Sequence, residues 1–183
     1  MTPEPDAAIA RLRATAHPMR LRMLSLLTAE AMSAAEVARA LGITHANASY
    51  HLRVLHDVDE LVVESEEKIR GGVAKRYRYD ATRGPHAHHP SLDDRITYAR
   101  ANAVEIERRL LEVAPGPASS SDLESWVPVA AWQQALELLR EASRLLHAEA
   151  RPAGTPDSVH MSFTTNAFTM TGGLTGDAAK VRP

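Results

Sequence analysis

Apolar residues recur at helical spacing in two neighbouring segments between residues 33 and 55. The apolar positions are Val37, Ala38 and Leu41 in the first segment and Ala48, Leu52 and Leu55 in the second. Each set lies on one face when its segment is drawn as an α-helix, so each segment predicts a short amphipathic helix.

Residues at the ends of these segments indicate where the two helices begin and stop. Ser33 and Glu36 form the S-x-x-E pattern of a capping box, which starts the first helix just after Ser33. Gly42 can adopt the left-handed conformation that ends a helix, and Thr44 can cap the second helix. Two short helices joined by so sharp a turn predict a helix-turn-helix.

The second helix has a face suited to reading DNA. Away from its apolar stripe it presents small, hydrogen-bonding and cationic side chains, with no carboxylate before Asp57. Such a surface fits the floor of a DNA major groove. The residues on this face are Ala46, Asn47, Ser49, Tyr50 and Arg53. An ordinary helical hairpin with a polar outer face is the alternative.

A β-hairpin is predicted directly after this helix. Residues 61–63 begin a strand, the pair Gly71–Gly72 marks a turn, and residues 74–80 alternate polar and aromatic side chains. Lys68 and Arg70 make the hairpin tip basic, which suits contact with the DNA backbone or the minor groove. The alternative is a hairpin that is only solvated.

Two helices are predicted before the capping box. Asp6 can cap the first, which runs to about His17, where Pro18 interrupts it. Pro18 also suits the first turn of the next helix, whose apolar residues cover most of its circumference. That next helix is therefore predicted to be the buried centre of a small domain.

A long helix beginning after Ser91 carries a regular apolar seam. Its seven apolar positions are separated by alternating steps of four and three, which is the a/d pattern of a coiled coil. They are Leu92, Ile96, Ala99, Ala103, Ile106, Leu110 and Val113. Because the alanines permit close approach, we expect this seam to pair with its copy in a second subunit. Packing within the same chain is the alternative.

The C-terminal part adds a flexible break at 114–122, a helix opened by Pro128 and an alternating segment at 159–170 that indicates a short strand. Residues 171–183 are expected to be a disordered tail. The only tryptophan and phenylalanine residues are Trp126, Trp132, Phe163 and Phe168. Their position predicts a second core in this part, which could include a small-molecule pocket.

Composition narrows the chemistry of the chain. Its 183 residues include no cysteine, which excludes disulfides, thiolate metal sites and thiol redox sensing. His86, His88 and His89 lie close together in a linker, but neighbouring imidazoles do not easily converge on one ion, so no metal site and no cofactor are predicted. A histidine-based metal sensor is the weaker alternative.

The charge distribution is more informative than the net charge of −2. From Arg11 to Arg53 there are six arginines against only Glu30 and Glu36, and local basicity supports DNA binding. The chain has no apolar run of about 18 residues and no secretory signal pattern, so we expect a cytoplasmic protein without a membrane span. It also lacks nucleophile–base, phosphate-loop and paired-carboxylate motifs, so an enzyme is not expected.

Together these patterns resemble the winged helix-turn-helix regulators of the ArsR type over roughly residues 7–80. The segments that carry the resemblance are HPMRLRMLSLL, the S-x-x-E helix, THANASYHLRVL and the two-stranded hairpin. The resemblance implies a dimeric, ligand- or metal-responsive transcription repressor. Its reader positions would fall on His45, Ala46, Asn47, Ser49, Tyr50 and Arg53.

Two features depart from that family. The segment Val58-Asp59-Glu60-Leu61 has no glycine where the family often has one between reader helix and wing. The cysteine pair that many members carry on the first helix of the motif is missing, and residues 91–114 hold no histidine for the family's other metal site.

The sequence therefore predicts a mainly α fold with a small β-hairpin. A winged helix-turn-helix DNA-binding domain would occupy residues 1–84, and 85–183 would form a helical dimerisation region where an effector could also bind. The expected DNA-contacting residues are Thr44, His45, Ala46, Asn47, Ser49, Tyr50, Arg53, Lys68 and Arg70.

The expected function is that of a homodimeric transcription regulator on an inverted-repeat operator in double-stranded DNA. It would be a repressor released by an unknown small-molecule effector other than a thiol reagent. A winged-helix module that binds proteins rather than DNA is the alternative.

Overall fold

The computed structural model describes residues 5–69, 72–80 and 90–170 of the chain. Within these ranges the chain forms six helices and three strands, mainly α with a small sheet, as the sequence predicts. In order they are α1 (Pro5–Thr15), α2 (Pro18–Ala29), β1 (Met32–Ser33), α3 (Ala34–Leu41), α4 (His45–Asp57), β2 (Leu61–Ile69), β3 (Gly72–Tyr79), α5 (Leu92–Leu110) and α6 (Val129–Ala148).

The predicted helix caps are all present around α3 and α4. The Ser33 hydroxyl accepts from the Glu36 amide at 3.4 Å, and the Glu36 carboxylate accepts from the Ser33 amide at 2.7 Å. Gly42 takes the left-handed conformation with φ 66°, and the Thr44 hydroxyl accepts from the Asn47 amide at 3.2 Å. These local bonds set the turn between the two helices.

The core of the small domain forms where α2, α3, α4 and the start of β2 meet. Both predicted apolar stripes point into it, and the stripe of α4 is fully buried. The residues with the least exposure are Met23, Leu27, Val37, Ala48, Leu52, Leu55 and Leu61. The buried apolar area of these side chains is the main stabilisation that holds α4 in place.

The three strands form one antiparallel sheet in the order β1-β3-β2. The sequence predicts the hairpin of β2 and β3 but not β1, whose two residues pair with Tyr77 and Arg76 of β3. A register shift between Val63 and Ser65 bends β2. The short β1 ties the start of α3 to the hairpin, so the wing is attached to the helix-turn-helix by backbone pairing.

Helix α5 packs on α1 and α2 through a largely polar face. Asp94, Ala101, Asn102 and Glu105 are buried there, and Asp94 forms an ion pair with Arg13 of α1 at 2.8 Å. The helix ends at Leu110, three residues earlier than the heptad pattern predicts, and the amides of Glu112 and Val113 donate to the carbonyls of Arg109 and Leu110 in tight turns.

Two predictions for the C-terminal part are wrong for the single chain. Residues 159–170 form no strand, because their backbone does not pair with the described sheet. No residue from 111 to 170 is buried, so the expected second core is absent there. Trp126 and Phe168 are 71% and 60% exposed.

Other predicted segments lie outside the described residues, among them the histidine linker at 81–89 and the tail at 171–183. Within the described ranges, no helix has both the length and the apolar character needed to cross a membrane.

Candidate nucleic-acid interface

The predicted reader helix α4 turns its polar face to solvent. Its buried stripe anchors it to the core, so the opposite side is free to meet a ligand as large as duplex DNA. Six of the predicted contact residues are exposed, and Ser49 is half-buried. The exposed six are Thr44, His45, Ala46, Asn47, Tyr50 and Arg53.

A buried histidine in α4 was missed by the sequence reasoning. His51 is only 6% exposed, and its Nδ1 makes no hydrogen bond to the described residues. It completes an i, i+3, i+4, i+7 stripe with Ala48, Leu52 and Leu55, and this spacing could have revealed it.

His51 links the reader helix to the start of α2. Its ring lies 4.9 Å from that of His17 and 5.2 Å from that of Tyr50, measured between centroids. The His17 Nδ1 accepts from the Met19 amide and so caps α2. Burial is the main cause that lowers the pKa of both histidines, and the nearby Arg20 lowers both further.

Arg20 connects α1 to the pair of His17 and His51. Its guanidinium donates to the carbonyls of Ala14 and Arg13 at the C-terminal end of α1. A cation at that position satisfies otherwise open carbonyls and complements the helix dipole. Arg20 is therefore committed to the scaffold beneath the reader helix.

The wing compensates most of its own charge. Three acidic residues of β2 face basic residues of β3, in the pairs Glu64–Arg78, Glu66–Lys75 and Glu67–Arg76. Lys68, at the distal end of β2, is exposed and makes no ion pair among the described residues. Arg70, the other predicted contact of the wing, lies outside the described residues.

Arg76 also holds the wing against the helix-turn-helix. It donates to the Glu36 carboxylate at 3.0 Å and to the Ala31 carbonyl at 2.6 Å. The pKa of Glu36 is lowered, first by the Ser33 backbone amide and then by Ser33 and Arg76 side chains. One carboxylate thus serves both the cap of α3 and the position of the wing.

The predicted dimerisation seam of α5 faces solvent in the single chain. Leu92 and Leu110 are 71% and 61% exposed, and Ile96 and Ile106 are 38% and 37% exposed. Ala99 and Ala103 are exposed as well, while Val113 lies beyond the end of the helix. The apolar face of α5 is therefore the one that its own chain leaves uncovered.

Among the described residues, no group of three or more histidine, aspartate and glutamate side chains is arranged to hold a metal ion. His86, His88 and His89 lie outside the part of the chain that the structure describes.

The segment that forms the capped helices and the start of the hairpin is similar to a known family. Residues 15–64 match the family model of a helix-turn-helix domain. The match begins at the end of α1 and includes α2, the capping box, the reader helix and the start of the wing. A search of curated proteins found no match to the chain.

The helix-turn-helix match includes α4, whose polar face is exposed. The match supports a DNA-binding transcription regulator, with duplex DNA as partner. In helix-turn-helix domains the second helix of the motif generally lies in the major groove.

Proposed function

We propose that the protein is a homodimeric, winged helix-turn-helix transcription repressor of the ArsR type. It binds an inverted repeat in double-stranded DNA and is released by a small-molecule effector that is not a thiol reagent. The observation that carries this proposal is the reader helix α4, which is capped, buried on one side and polar and cationic on the other, within the matched segment.

The DNA contacts are proposed to come from α4 and the wing. Arg53 and Asn47 supply a cation and an amide suited to base edges or phosphates, and Tyr50 supplies a hydroxyl on an exposed ring. Lys68 and Arg70 would contact the backbone from the wing. Thr44, His45, Ala46 and Ser49 complete the face that enters the major groove.

The dimer is proposed because α5 turns its polar face toward its own chain and its apolar face toward solvent. This helix buries a carboxylate, an amide and a second carboxylate against its own chain while its apolar seam stays exposed. Exposed apolar residues grouped on one face can mark an interaction surface. A second copy fits best, because an a/d seam with alanines at its centre is complementary to itself.

The C-terminal part belongs to the same assembly in this proposal. From 111 to 170 the chain buries no residue of its own, yet it carries Trp126, Phe163 and Phe168. We infer that these rings are covered when two copies associate, which places dimerisation and effector binding in residues 85–183.

The proposal is tested by mobility shifts of the full-length protein on the DNA upstream of its own gene. A regulator should form a sequence-specific complex whose affinity falls steeply as salt rises, because each phosphate contact releases counterions. Random-sequence selection would then reveal an inverted repeat. If no specific complex forms on either DNA, the protein is better explained as a winged-helix module that binds proteins.

A further inference from the structure

A cavity lies where the helix-turn-helix domain meets the C-terminal region. It has a volume of about 260 Å³. Its walls come from α2, from Tyr79 at the end of β3, from the inward side of α5, from α6 and from residues 163–165. The cavity therefore touches the reader scaffold, the wing, the seam helix and the C-terminal segment at once.

The charge of this cavity is positive. Arg109 of α5 lines it, and none of its lining residues, all of them described, is an aspartate or glutamate. The Arg109 guanidinium donates to the hydroxyls of Ser162 and Thr164 at 3.3 and 3.4 Å. Both acceptors are neutral hydroxyls, so these two bonds do not neutralise the charge of Arg109.

The nearest carboxylate to Arg109 is already engaged elsewhere. Glu105 lies 3.9 Å from the Arg109 Nε but 3.0 Å from the Arg108 Nε, and it is buried. Arg108 has Glu112 as a second partner at 3.2 Å. Within the described residues, two arginines thus share Glu105, and Arg109 has the weaker share.

Aromatic rings and neutral donors form the rest of the site. Tyr79, Tyr98 and Phe163 line the cavity, and Tyr79 meets His147 of α6 edge to face at 6.2 Å. Burial raises the pKa of Tyr79, so its hydroxyl stays protonated and can donate. The His147 Nδ1 lies 2.8 Å from the Ser143 carbonyl, so Nδ1–H donates to it.

We propose that this cavity binds a small aromatic carboxylate, with the carboxylate on Arg109 and the ring among Tyr79, Tyr98 and Phe163. An arginine fork matches a carboxylate in shape and charge, and the volume suits a single substituted ring. This inference deepens the proposed function, since the same molecule would serve as the effector.

The position of the cavity provides the coupling between ligand and DNA. A ligand there bridges α2 and Tyr79, which belong to the DNA-binding domain, to α5 and α6, which belong to the proposed dimer. A ligand that prefers one arrangement of these elements shifts the population toward it. We expect the bound arrangement to be the one that holds DNA less well, with coupling of about 5- to 150-fold in affinity.

Isothermal titration and thermal melts of the full-length protein test the site directly. The probes are benzoate, salicylate and phenylacetate, with benzamide as a neutral match and inorganic phosphate as an anion without a ring. We expect saturable binding of at least one carboxylate, one per chain, with a rise in melting temperature. Benzamide and phosphate should each bind at least about tenfold more weakly, because benzamide lacks the negative charge and phosphate lacks the aromatic ring.

Variants of two arginines of α5 show whether the binding is at the cavity. Arg109→Gln should weaken carboxylate binding about 10- to 100-fold, and Arg109→Lys should restore part of it. Arg100→Gln is the matched control, because Arg100 is an exposed arginine of the same helix that does not line the cavity, and it should bind as the wild type does. Circular dichroism melts establish that each variant is folded.

Three results would overturn the proposal: no saturable binding of any of the carboxylates, equal binding of benzamide, or unchanged binding in folded Arg109→Gln. The operator complex is measured separately without probes. A protein that binds the carboxylate but no operator would disprove the proposed function and leave the site intact, whereas an operator complex with no carboxylate binding would do the reverse.

Discussion

Arg53 and Asn47 stand on the outer face of α4, opposite the residues that anchor the helix. Arg53→Ala and Asn47→Ala should each weaken specific DNA binding by about 1–3 kcal/mol, because each removes a contact to a base or phosphate. The free energy of unfolding should barely change, since both side chains are exposed. Fluorescence anisotropy on the selected operator and urea denaturation measure the two quantities.

Arg140→Ala is the control for these variants, because Arg140 is an exposed arginine of α6 outside the matched segment. Its removal should leave operator affinity unchanged. Normal affinity in both α4 variants would contradict the assignment of this face as the reader.

His51 and His17 lie under the reader helix with lowered pKa values. The unfolded chain therefore takes up their protons first, at about pH 6.5. Their contribution to stability is present above that pH and declines as pH falls through the lower folded pKa. Melting temperatures at about pH 7.5 and about pH 5.5 should thus differ less in His51→Leu than in the wild type.

Two other charged or titratable groups face this pair, Arg20 and Tyr50, and neither is changed by the substitution. His160→Leu is the control, since His160 is exposed in the C-terminal segment. If the wild type and His51→Leu lose the same stability on acidification, the buried imidazole is not the group that titrates.

At the scale of elements, the turn between α4 and β2 holds an aspartate in a left-handed backbone conformation. Asp59 takes φ 60°, a conformation that a glycine adopts with ease. Asp and Asn tolerate this conformation, but β-branched residues do not. Asp59→Val should therefore lower the free energy of unfolding by about 1–3 kcal/mol, as measured by urea denaturation.

Asp59→Gly and Asp59→Asn should both retain wild-type stability within about 1 kcal/mol. A large loss in Asp59→Gly would show that the aspartate side chain, and not the backbone conformation, is what the turn requires.

At the scale of the whole molecule, the exposed seam of α5 carries the proposed dimer. Ile106→Glu would place a charge in the seam of both subunits at once, and burying such charges costs several kcal/mol. We expect the dimer to dissociate at micromolar concentration, as measured by analytical ultracentrifugation. Operator affinity should collapse as well, because a monomer holds only half of a site whose halves lie about 34–36 Å apart.

Val104→Glu is the matched control for this variant. Val104 is 52% exposed on the same helix but lies outside the a/d seam. The Val104→Glu protein should therefore remain dimeric. A monomeric wild type, or an Ile106→Glu variant that stays dimeric with full affinity, would contradict the seam.

The lack of cysteine makes a prediction for the effector as well. Zinc, arsenite and peroxide at micromolar concentration should leave operator affinity unchanged, because the chain has no thiolate and its neighbouring histidines do not easily converge on one ion. A tenfold shift with zinc that is lost when His86, His88 and His89 are changed to alanine would indicate a histidine-based metal sensor instead.

Local chemistry made the helix-turn-helix predictable from the chain alone. Ser33, Gly42 and Thr44 satisfy backbone groups within a few residues of themselves, and the stripe of α4 has the period of a helix. The same is true of the hairpin, whose turn and alternation are local. Such interactions join residues that are close together in sequence, so the local residue pattern is enough to predict the secondary structure.

Contacts between distant segments decided the rest. The pairing of β1 with β3, the carboxylate of Glu36 shared with Arg76, and the burial of Asp94 against Arg13 all join residues far apart in sequence. The polar face of α5 lies inward, where Asp94 pairs with Arg13 of α1, and the apolar seam therefore lies outside. The strand predicted at 159–170 is absent for the same reason. Alternating apolar and polar residues form a strand only where the edge of another strand is available for pairing.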